Sequence, residues 1–305
     1  MLNQETLPIN YVNSSTYMLP TLHSFKGELN LYLGRVENNV GRIVKLSFED
    51  IHKHASLKDL EKEILASGEQ GCFDDNGVVP VSIVNNGNDI YLYYVGFQLG
   101  VKVPYYMFLG LAISENGGKS FGRYSQVPIL DRNDGELYAR CGAFVEKFHD
   151  LWHIWYIGSI GNGWTENQDA KKLPLYSMRH GISKDGINWS IDNKLCFDFE
   201  SEDEHGFGRP CVIYKDSIYK MFFCIRTYSS GYKLAYAESQ DLKQWYRKEH
   251  MLIEYINSQT KKDFDDQEKC YPNLIKLDKD YLFFYGANSC GKAGFAYLQV
   301  PEEFI

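Results

Sequence analysis

The chain has 305 residues, a formal net charge of −8 and a sequence pI near 5.5. A general nucleic-acid-binding protein needs a basic face for phosphate contacts, so this charge argues against that class. No apolar run approaches the roughly 18 residues of a membrane span, and the amino terminus lacks a basic segment followed by an apolar core. We therefore expect a cytoplasmic protein with no nucleic-acid or membrane partner.

The first 70 residues contain one hairpin and one helix signal. We expect part of residues 1–15 to pair with the end of the chain, and residues 16–34 to form the first hairpin. Further on, Ser56 and Asp59 resemble a helix capping box, and the leucines around them recur at helical spacing through Leu65. This pattern predicts a short helix.

Residues 74–96 show most clearly the unit that the chain repeats. The stretch begins with a loop that carries Asp74 and Asp75, followed by an apolar run over 78–84. An Asn86-Gly87 turn then leads into an aromatic run over 90–95. Two β-rich runs joined by Asn-Gly predict a hairpin with acids at its entrance.

Four other stretches repeat this hairpin, at residues 16–34, 137–158, 207–227 and 269–287. Their alignment places one column of residues about 60 to 70 positions apart, the spacing of a repeat architecture. The column consists of Pro20, Pro80, Cys141, Pro210 and Pro272.

A second pattern follows three of the hairpins, at residues 111–121, 180–189 and 235–245. Each is a short strand, a polar turn and an aromatic residue that can fold back over the strand. Runs such as 127–130 and 251–253 would supply a fourth strand.

Four strands repeated about every 60 residues predict an all-β fold, a five-bladed β-propeller with four-stranded antiparallel blades around a central channel. The prediction is a single domain over 1–305. Its blades are predicted at approximately 10–70, 72–130, 131–195, 196–254 and 255–300.

Two long loops follow the second strands of blades two and three, at residues 97–108 and 161–174. Long loops in compact domains are often functional, and Trp164 in the second loop could lie against a sugar ring. The alternative, that both are plain surface loops, stays open.

Residues just before the aligned column converge at one mouth of the predicted channel. This set contains Asp74, Asp75, Glu136, Arg140, Glu204, His205, Arg209, Asp266, Glu268 and Tyr271. Two interpretations of Arg140 and Arg209 stay open. They form an ion-pair network with the acids, or they bind an anionic group of a ligand.

Seven cysteines occur singly, with no CxxC pair, which favours reduced, packed thiols over disulfides. Cys141, Cys211 and Cys270 fall on the first strands of three blades, where a shared metal is conceivable. No spacing typical of zinc ligands is present. We expect no cofactor, and the sequence leaves a structural calcium ion open.

Several motifs resemble the five-bladed propeller glycoside hydrolases, the superfamily of families 32, 43, 62, 68 and 130. They are the repeat itself, Ser-Lys-Asp-Gly-Ile-Asn-Trp at 183–189, Asp-Asp-Asn-Gly-Val at 74–78 and Phe-Tyr-Gly-Ala-Asn at 284–288. The resemblance covers almost the whole chain. It implies a sugar pocket at the channel mouth, where one carboxyl group protonates the leaving oxygen and another activates water or acts as nucleophile.

The family pattern places an Asp base on blade one, an Asp on blade two and a Glu acid on blade three. Asp75, or Asp74, suits the second position and Glu136 the third, whereas residues 13–18 of the first blade carry no carboxylate. The resemblance therefore implies Glu136 as general acid and Asp75 as orienting carboxylate or base. Glu204 or Glu268 would be the alternative base.

The leading hypothesis is a carbohydrate-active enzyme, a glycosidase, phosphorylase or glycosyl-transferring enzyme, acting on a small or activated anionic sugar. The sugar would be phosphorylated, acidic or nucleotide-linked. Its contacts are predicted to be Asp74, Arg140, His205, Arg209, Tyr271 and Trp164. The competing hypothesis is a glycan-binding propeller that has lost its chemistry, supported by the missing first-blade Asp. On the enzyme hypothesis, Glu136→Gln abolishes turnover and spares the fold.

Overall fold

The computed structural model describes residues 7–52, 56–166 and 172–305. Strands make up 59% of the chain and helices 8%, so the structure is mostly β, as predicted. The strands are β1 Asn10–Asn13, β2 Tyr17–Phe25, β3 Glu28–Glu37, β4 Val40–Ser47, β5 Lys62–Leu65, β6 Gly77–Asn86, β7 Asp89–Leu99, β8 Tyr105–Ser114, β9 Gly122–Arg123, β10 Ala139–Phe148, β11 Leu151–Glu166, β12 Lys172–Ser183, β13 Ser190–Leu195, β14 Glu204–Lys215, β15 Ile218–Thr227, β16 Gly231–Ser239, β17 Tyr246–Lys248, β18 Cys270–Lys276, β19 Asp280–Gly286 and β20 Gly294–Pro301.

The helices are short. They are α1 Leu57–Leu60, α2 Met251–Ser258, the turn α3 Asn288–Gly291, and two 3-10 helices at Phe48–His52 and Glu302–Phe304. In the described part of the chain, no helix is both long and apolar enough to cross a membrane.

Antiparallel pairing joins the strands into groups. These are β2–β5, β6–β9, β10–β13, β14–β17, and β18–β20 with β1. Short parallel contacts link β4 to β6 and β8 to β10, so the first three groups form one twelve-stranded sheet. The count of five blades and their boundaries stay predictions, which this grouping supports.

The repeating hairpin is seen directly in β6 and β7. Asn86 pairs with Asp89, so the two-residue turn is Gly87-Asn88, one position later than predicted. Gly87 takes a positive φ of 64°, which the first position of a type II′ turn requires.

An irregularity in the first strand of each group confirms the aligned column. The pairing of β2, β6, β10, β14 and β18 shifts between Met18/Thr21, Pro80/Ser82, Cys141/Phe144, Gly208/Cys211 and Cys270/Asn273. Proline has no N–H to donate, so it is tolerated where a β-bulge interrupts the ladder. We call these five strands the inner strands.

The amino-terminal strand completes the last group. β1 pairs antiparallel with β20, with Asn10 opposite Tyr297 and Asn13 opposite Gly294. This confirms the expected pairing of the chain's two ends. It also removes Asn10–Asn13 from the first predicted blade, because their hydrogen bonds are made to the last group.

The polar turns pack against the preceding group. In each turn a serine, Ser114, Ser183 or Ser239, accepts backbone N–H bonds from the turn that follows it. The aromatic residue after each turn reaches a ring of the group before it. The ring pairs are Phe121–Tyr32, Trp189–Tyr93 and Trp245–Trp155, with centroids 6.0–6.5 Å apart. The aromatics therefore join neighbouring groups, where the sequence predicted contact with their own strand.

Two local predictions are wrong, and a third, the short helix, is confirmed only over Leu57–Leu60. Residues 127–130 make only one isolated bridge, Leu109–Leu130, and Gly122–Arg123 is the fourth strand instead. Residues 251–253 begin helix α2, which buries Leu252, Ile253 and Ile256 on one face. The helix predicted from Ser56 ends at Leu60, and Lys62–Leu65 pair with β4, where Ile64 and Leu65 are buried.

A buried arginine ties the inner strands together. Arg209 of β14 is 1% exposed and donates to the Pro20 oxygen at 3.0 Å, Thr21 Oγ1 at 2.9 Å and the Val81 oxygen at 2.9 Å. It therefore bridges β14 to β2 and β6. Burial lowers the pKa of Arg209 to about 10, so the guanidinium stays charged at neutral pH.

Replacing Arg209 by Met is expected to lower the free energy of unfolding by about 3 kcal/mol, because three buried oxygens lose their donor. Arg42→Gln is the control, since its ion pair with Glu63 lies at the surface and contributes less than about 1 kcal/mol. Urea unfolding measures both. Wild-type stability in Arg209→Met would contradict this structural role.

The protein is also expected to lose stability below neutral pH. Burial, followed by the neighbouring His153, lowers the pKa of His180 from 6.5 to about 4, and burial does the same for His23 and His250. The unfolded chain takes up these protons near pH 6.5 and the folded chain only near pH 4. The free energy of unfolding should therefore fall as the pH drops from 6.5 to 4, and His180→Gln should reduce the slope. Urea titrations at several pH values that gave a flat profile would contradict this.

Candidate functional site

The inner strands meet at a cavity of about 90 Å³. Its lining comes from the bulges of all five inner strands and from neighbouring strands. The lining residues are Leu19, Val79, Val81, Val95, Phe97, Met107, Cys141, Gly142, Ile157, Tyr176, Phe207, Gly208, Arg209, Tyr232 and Tyr271. The floor is apolar apart from Arg209, whose donors are mostly engaged by Pro20, Thr21 and Val81.

Asp74 lies inside its own group of strands. It is fully buried, and its Oδ2 accepts from Arg123 Nε at 2.9 Å and from the Tyr94 hydroxyl at 3.2 Å. Burial first, and then the Asp74 carboxylate, raises the pKa of Tyr94, which keeps this hydroxyl protonated as a donor.

Glu136 has an equivalent environment in the next group. Its Oε2 lies 3.0 Å from Arg140 Nε and accepts from the Tyr156 hydroxyl at 3.0 Å, and its Oε1 lies 3.2 Å from Arg179 Nε. Arg140 also donates to the backbone carbonyl oxygen of Asp131 at 2.6 Å. Glu136 is 1% exposed, so both guanidinium groups neutralise a buried charge.

The same arrangement recurs around the structure. We call each such cluster of an acid with a cation, in four cases with a tyrosine hydroxyl, a clasp. The clasps are Glu61 with Arg35 and Tyr17, Asp74 with Arg123 and Tyr94, Glu136 with Arg140, Arg179 and Tyr156, Glu204 with Arg247, and Asp265 with Lys269 and Tyr285. For Asp74, Glu136, Arg140 and Glu204 the geometry favours the ion-pair interpretation.

Two of the predicted catalytic acids lie outside the clasps. Asp75 Oδ2 accepts the Gly71 N–H at 3.0 Å, and its buried Oδ1 has no hydrogen-bond partner among the described residues. Glu268 Oε2 accepts the Cys290 N–H at 2.8 Å, and neither acid has a cation within 4 Å in the described part of the chain. Their catalytic roles stay predictions.

Glu268 stands close to a turn that has no room for a side chain. Gly231 has a φ of +68°, and a Cβ there would lie 2.0 Å from Glu268 Oε1. Asn288 Oδ1 accepts the backbone N–H of Glu268 at 2.8 Å and so fixes the loop before β18. Exposed Asp266, also predicted at the mouth, accepts from Asn288 Nδ2 at 2.7 Å.

Aromatic rings form one wall beside the cavity. Trp164 lies 5.1 Å from the ring of Tyr138 and 5.2 Å from that of Tyr105, and the Tyr105 and Tyr176 hydroxyls are 3.4 Å apart. Tyr176 lines the cavity itself. The structure therefore brings predicted Trp164 into a cluster with three tyrosines that sequence reasoning missed.

Tyr271 also lines the cavity and packs on Tyr232 with ring centroids 5.3 Å apart. Its φ of 56° is unusual for a bulky residue, and Ser289 and Cys290 nearby both have a φ of 59°. Such backbone outliers concentrate at functional sites.

His205 is not among the residues that line the cavity. Its Nδ1 donates to the Pro174 oxygen at 3.0 Å, and its ring stacks on Tyr228 at 4.6 Å. Burial lowers its pKa, so the imidazole is neutral at pH 7. These contacts favour a structural role; its predicted sugar contact stays a prediction.

All seven cysteines are free. Cys141 lines the cavity, whereas Cys211 and Cys270 contact the Leu274 and Ala287 oxygens. Within residues 7–52, 56–166 and 172–305, no group of three histidines, cysteines or acids is placed to hold a metal ion.

Two proteins of Mycobacterium tuberculosis are similar to the chain. Uncharacterized protein MT1551 of strain CDC 1551 / Oshkosh and Uncharacterized protein Rv1502 of strain ATCC 25618 / H37Rv are each 30% identical over 272 residues. The alignment covers 88% of this chain and 85% of each relative. The chain belongs to the family of these two proteins. No protein-family model matches it.

Solved structures show the fold. An alpha-L-arabinofuranosidase from Lactobacillus brevis matches with a TM-score of 0.67 and 8% identity, over 95% of this chain and 92% of its own. A thermostable family-43 glycoside hydrolase matches with a TM-score of 0.64 and 13% identity, over 93% of this chain and 88% of its own. An endo-arabinase from Bacteroides thetaiotaomicron matches with a TM-score of 0.61 and 14% identity, over 96% of this chain and 97% of its own. This member of the Rv1502 family has the fold of the β-propeller glycoside hydrolases, and the resemblance in the sequence is confirmed at the level of the fold.

Glu136→Gln is expected to lower the free energy of unfolding by about 3 kcal/mol, because Arg140 and Arg179 lose their shared buried counter-charge. Urea unfolding measures it, with exposed Glu115→Gln as the control. Unchanged stability together with lost turnover would instead support the general-acid role.

Proposed function

We propose that the protein is a carbohydrate-active enzyme that cleaves or transfers a glycosyl group at the mouth of a central channel. One observation carries the proposal: Glu268, without a cation partner among the described residues, lies against Gly231, and the next residue, Tyr232, lines the cavity together with Tyr176 and Tyr271. Aromatic rings stack against the apolar faces of sugars, and a carboxyl group supplies the acid–base chemistry.

The proposal includes the arrangement predicted from the sequence, a single domain of five four-stranded blades whose inner strands surround the channel. The grouping of the strands and the recurrence of one bulge in each inner strand support it. A small carbohydrate is the proposed partner. Cleavage by carboxyl groups requires no cofactor, and none is proposed.

Glu268 is assigned the proton transfer, and Asp75 is the other predicted catalytic acid outside a clasp. The Glu136 and Glu204 carboxylates are already engaged by arginines. Breaking a buried ion pair is costly, so these two acids are less available to a ligand. Glu268 accepts the Cys290 N–H and has no ion pair among the described residues, so its carboxyl group is available.

The second candidate is a glycan-binding protein without chemistry. The composition of the cavity floor favours it, since Leu19, Val79, Val81 and Cys141 offer no group that moves a proton at neutral pH. Burial raises the pKa of Cys141 to about 12, so its thiol stays protonated.

Turnover of a panel of aryl glycosides and oligosaccharides tests the proposal. Glu268→Gln is expected to lower kcat/KM by at least about 100-fold, because general acid–base catalysis contributes that much, while the melting temperature is unchanged. Glu115→Gln, an exposed site outside the cavity, is the matched control.

Full activity in Glu268→Gln would overturn its assignment. Calorimetric binding of an oligosaccharide without any turnover would select the glycan-binding candidate. Absence of both binding and turnover would overturn the carbohydrate function.

A further inference from the structure

Arg226, at the end of β15, is a cation without a counter-ion in the described part of the chain. Seven other arginines lie within 4.0 Å of a carboxylate, and Arg209 holds three oxygens. The seven are Arg35, Arg42, Arg123, Arg132, Arg140, Arg179 and Arg247. Arg226 has neither a hydrogen bond nor an ion pair among the described residues, although it is partly buried.

The strand pairing places Arg226 against the cavity wall. It lies opposite Tyr232 on one side and opposite Gly206 on the other. Tyr176 packs beside Gly206: a Cβ on Gly206 would lie 3.4 Å from Tyr176 Cδ2 and 3.7 Å from Arg226 Cβ, which is ordinary van der Waals contact. Both tyrosines line the cavity.

The charge of Arg226 reaches the whole aromatic cluster. Burial raises the pKa of Tyr105, Tyr138 and Tyr232, and Arg226 opposes that rise in each case. It acts in the same direction on the thiol of Cys290, whose backbone N–H binds Glu268. The Arg226 charge therefore acts on these tyrosines and on Cys290, the residue whose N–H binds Glu268.

One contact of Arg226 is already made. Its guanidinium carbon lies 5.2 Å from the centre of the Tyr232 ring, a cation–π contact. That contact uses a face of the planar group. The N–H donors lie in the plane of the guanidinium and remain available for a second partner.

We propose that Arg226 binds an oxyanion carried by the sugar, a carboxylate or a phosphate. This inference rests on the proposed function and names its substrate class. A partly buried cation without a counter-charge is unfavourable, and an oxyanion meets the guanidinium with two parallel hydrogen bonds. The hydroxyls of the neighbouring tyrosines donate to the remaining oxygens. The anionic sugar predicted from Arg140 and Arg209 is thereby assigned to a different arginine.

The test is calorimetric binding to the full chain. The acidic arm uses glucuronate and galacturonate, the phosphate arm glucose 1-phosphate, and the neutral arm glucose and galactose. Wild type is expected to bind one anionic arm at least tenfold more tightly than the neutral arm, with a preference that weakens as salt is added. Comparison of the affinities for the uronates and for glucose 1-phosphate shows whether the site prefers a carboxylate or a phosphate.

Three variants complete the experiment. Arg226→Gln is expected to lose the anionic preference and to keep its affinity for neutral sugars, and Arg226→Lys to retain part of the preference. Arg42→Gln, an exposed arginine of β4, is the matched control and behaves as wild type. Melting temperatures confirm that each variant is folded.

Each outcome decides the inference. Anionic preference that survives Arg226→Gln overturns it. Equal affinity of wild type for neutral and anionic sugars overturns it and leaves the proposed function intact. If no sugar binds, acetate and inorganic phosphate are used as probes. If either anion raises the melting temperature of wild type and not of Arg226→Gln, the anion site stands and the sugar function is overturned. If neither anion raises the melting temperature of wild type, both the anion site and the sugar function are overturned.

Discussion

The buried guanidinium of Arg209 is the interaction on which the centre of this structure depends. A charge placed among inner strands must be satisfied there, and three oxygens from β2 and β6 do so without any carboxylate. A single side chain therefore links strands that are about 60 to 190 residues apart in sequence. Arg209 and Val81 both line the cavity, so this contact forms part of its floor.

The clasps explain why acids recur before the inner strands of the last four groups. In each of these groups an acid such as Asp74 or Glu136 accepts bonds from a cation, and in most of them from a tyrosine hydroxyl as well. In the first group the acid is Glu61, which follows β4, so that group shares the structural requirement and differs in where the acid lies in the sequence. A catalytic site occurs once in the molecule, so an acid that recurs in every group of strands is weak evidence for catalysis.

The site is marked by departures from the repeat. Glu268 and Arg226 have no ion-pair partner among the described residues, and Ser289 and Cys290 have positive φ angles. Gly231 permits the close approach of Glu268, and Tyr176 of β12 packs beside Gly206. These features belong to the last two groups and to β12, so the proposed sugar site is asymmetric although the fold is repetitive.

The sequence by itself determined the hairpins, their spacing and the aligned column, because turn chemistry and two-residue alternation are local properties. It also identified the set that contains Tyr271 and Glu268. It did not reveal that Glu136 and Glu204 are neutralised by Arg179 and Arg247, since those partners come from strands 43 residues further along the chain in both cases. Nor did it single out Arg226, which follows the apolar run of β15 and resembles any strand end. Whether a charged side chain is paired or free depends on what lies across the strand pairing, and only the tertiary structure decided that.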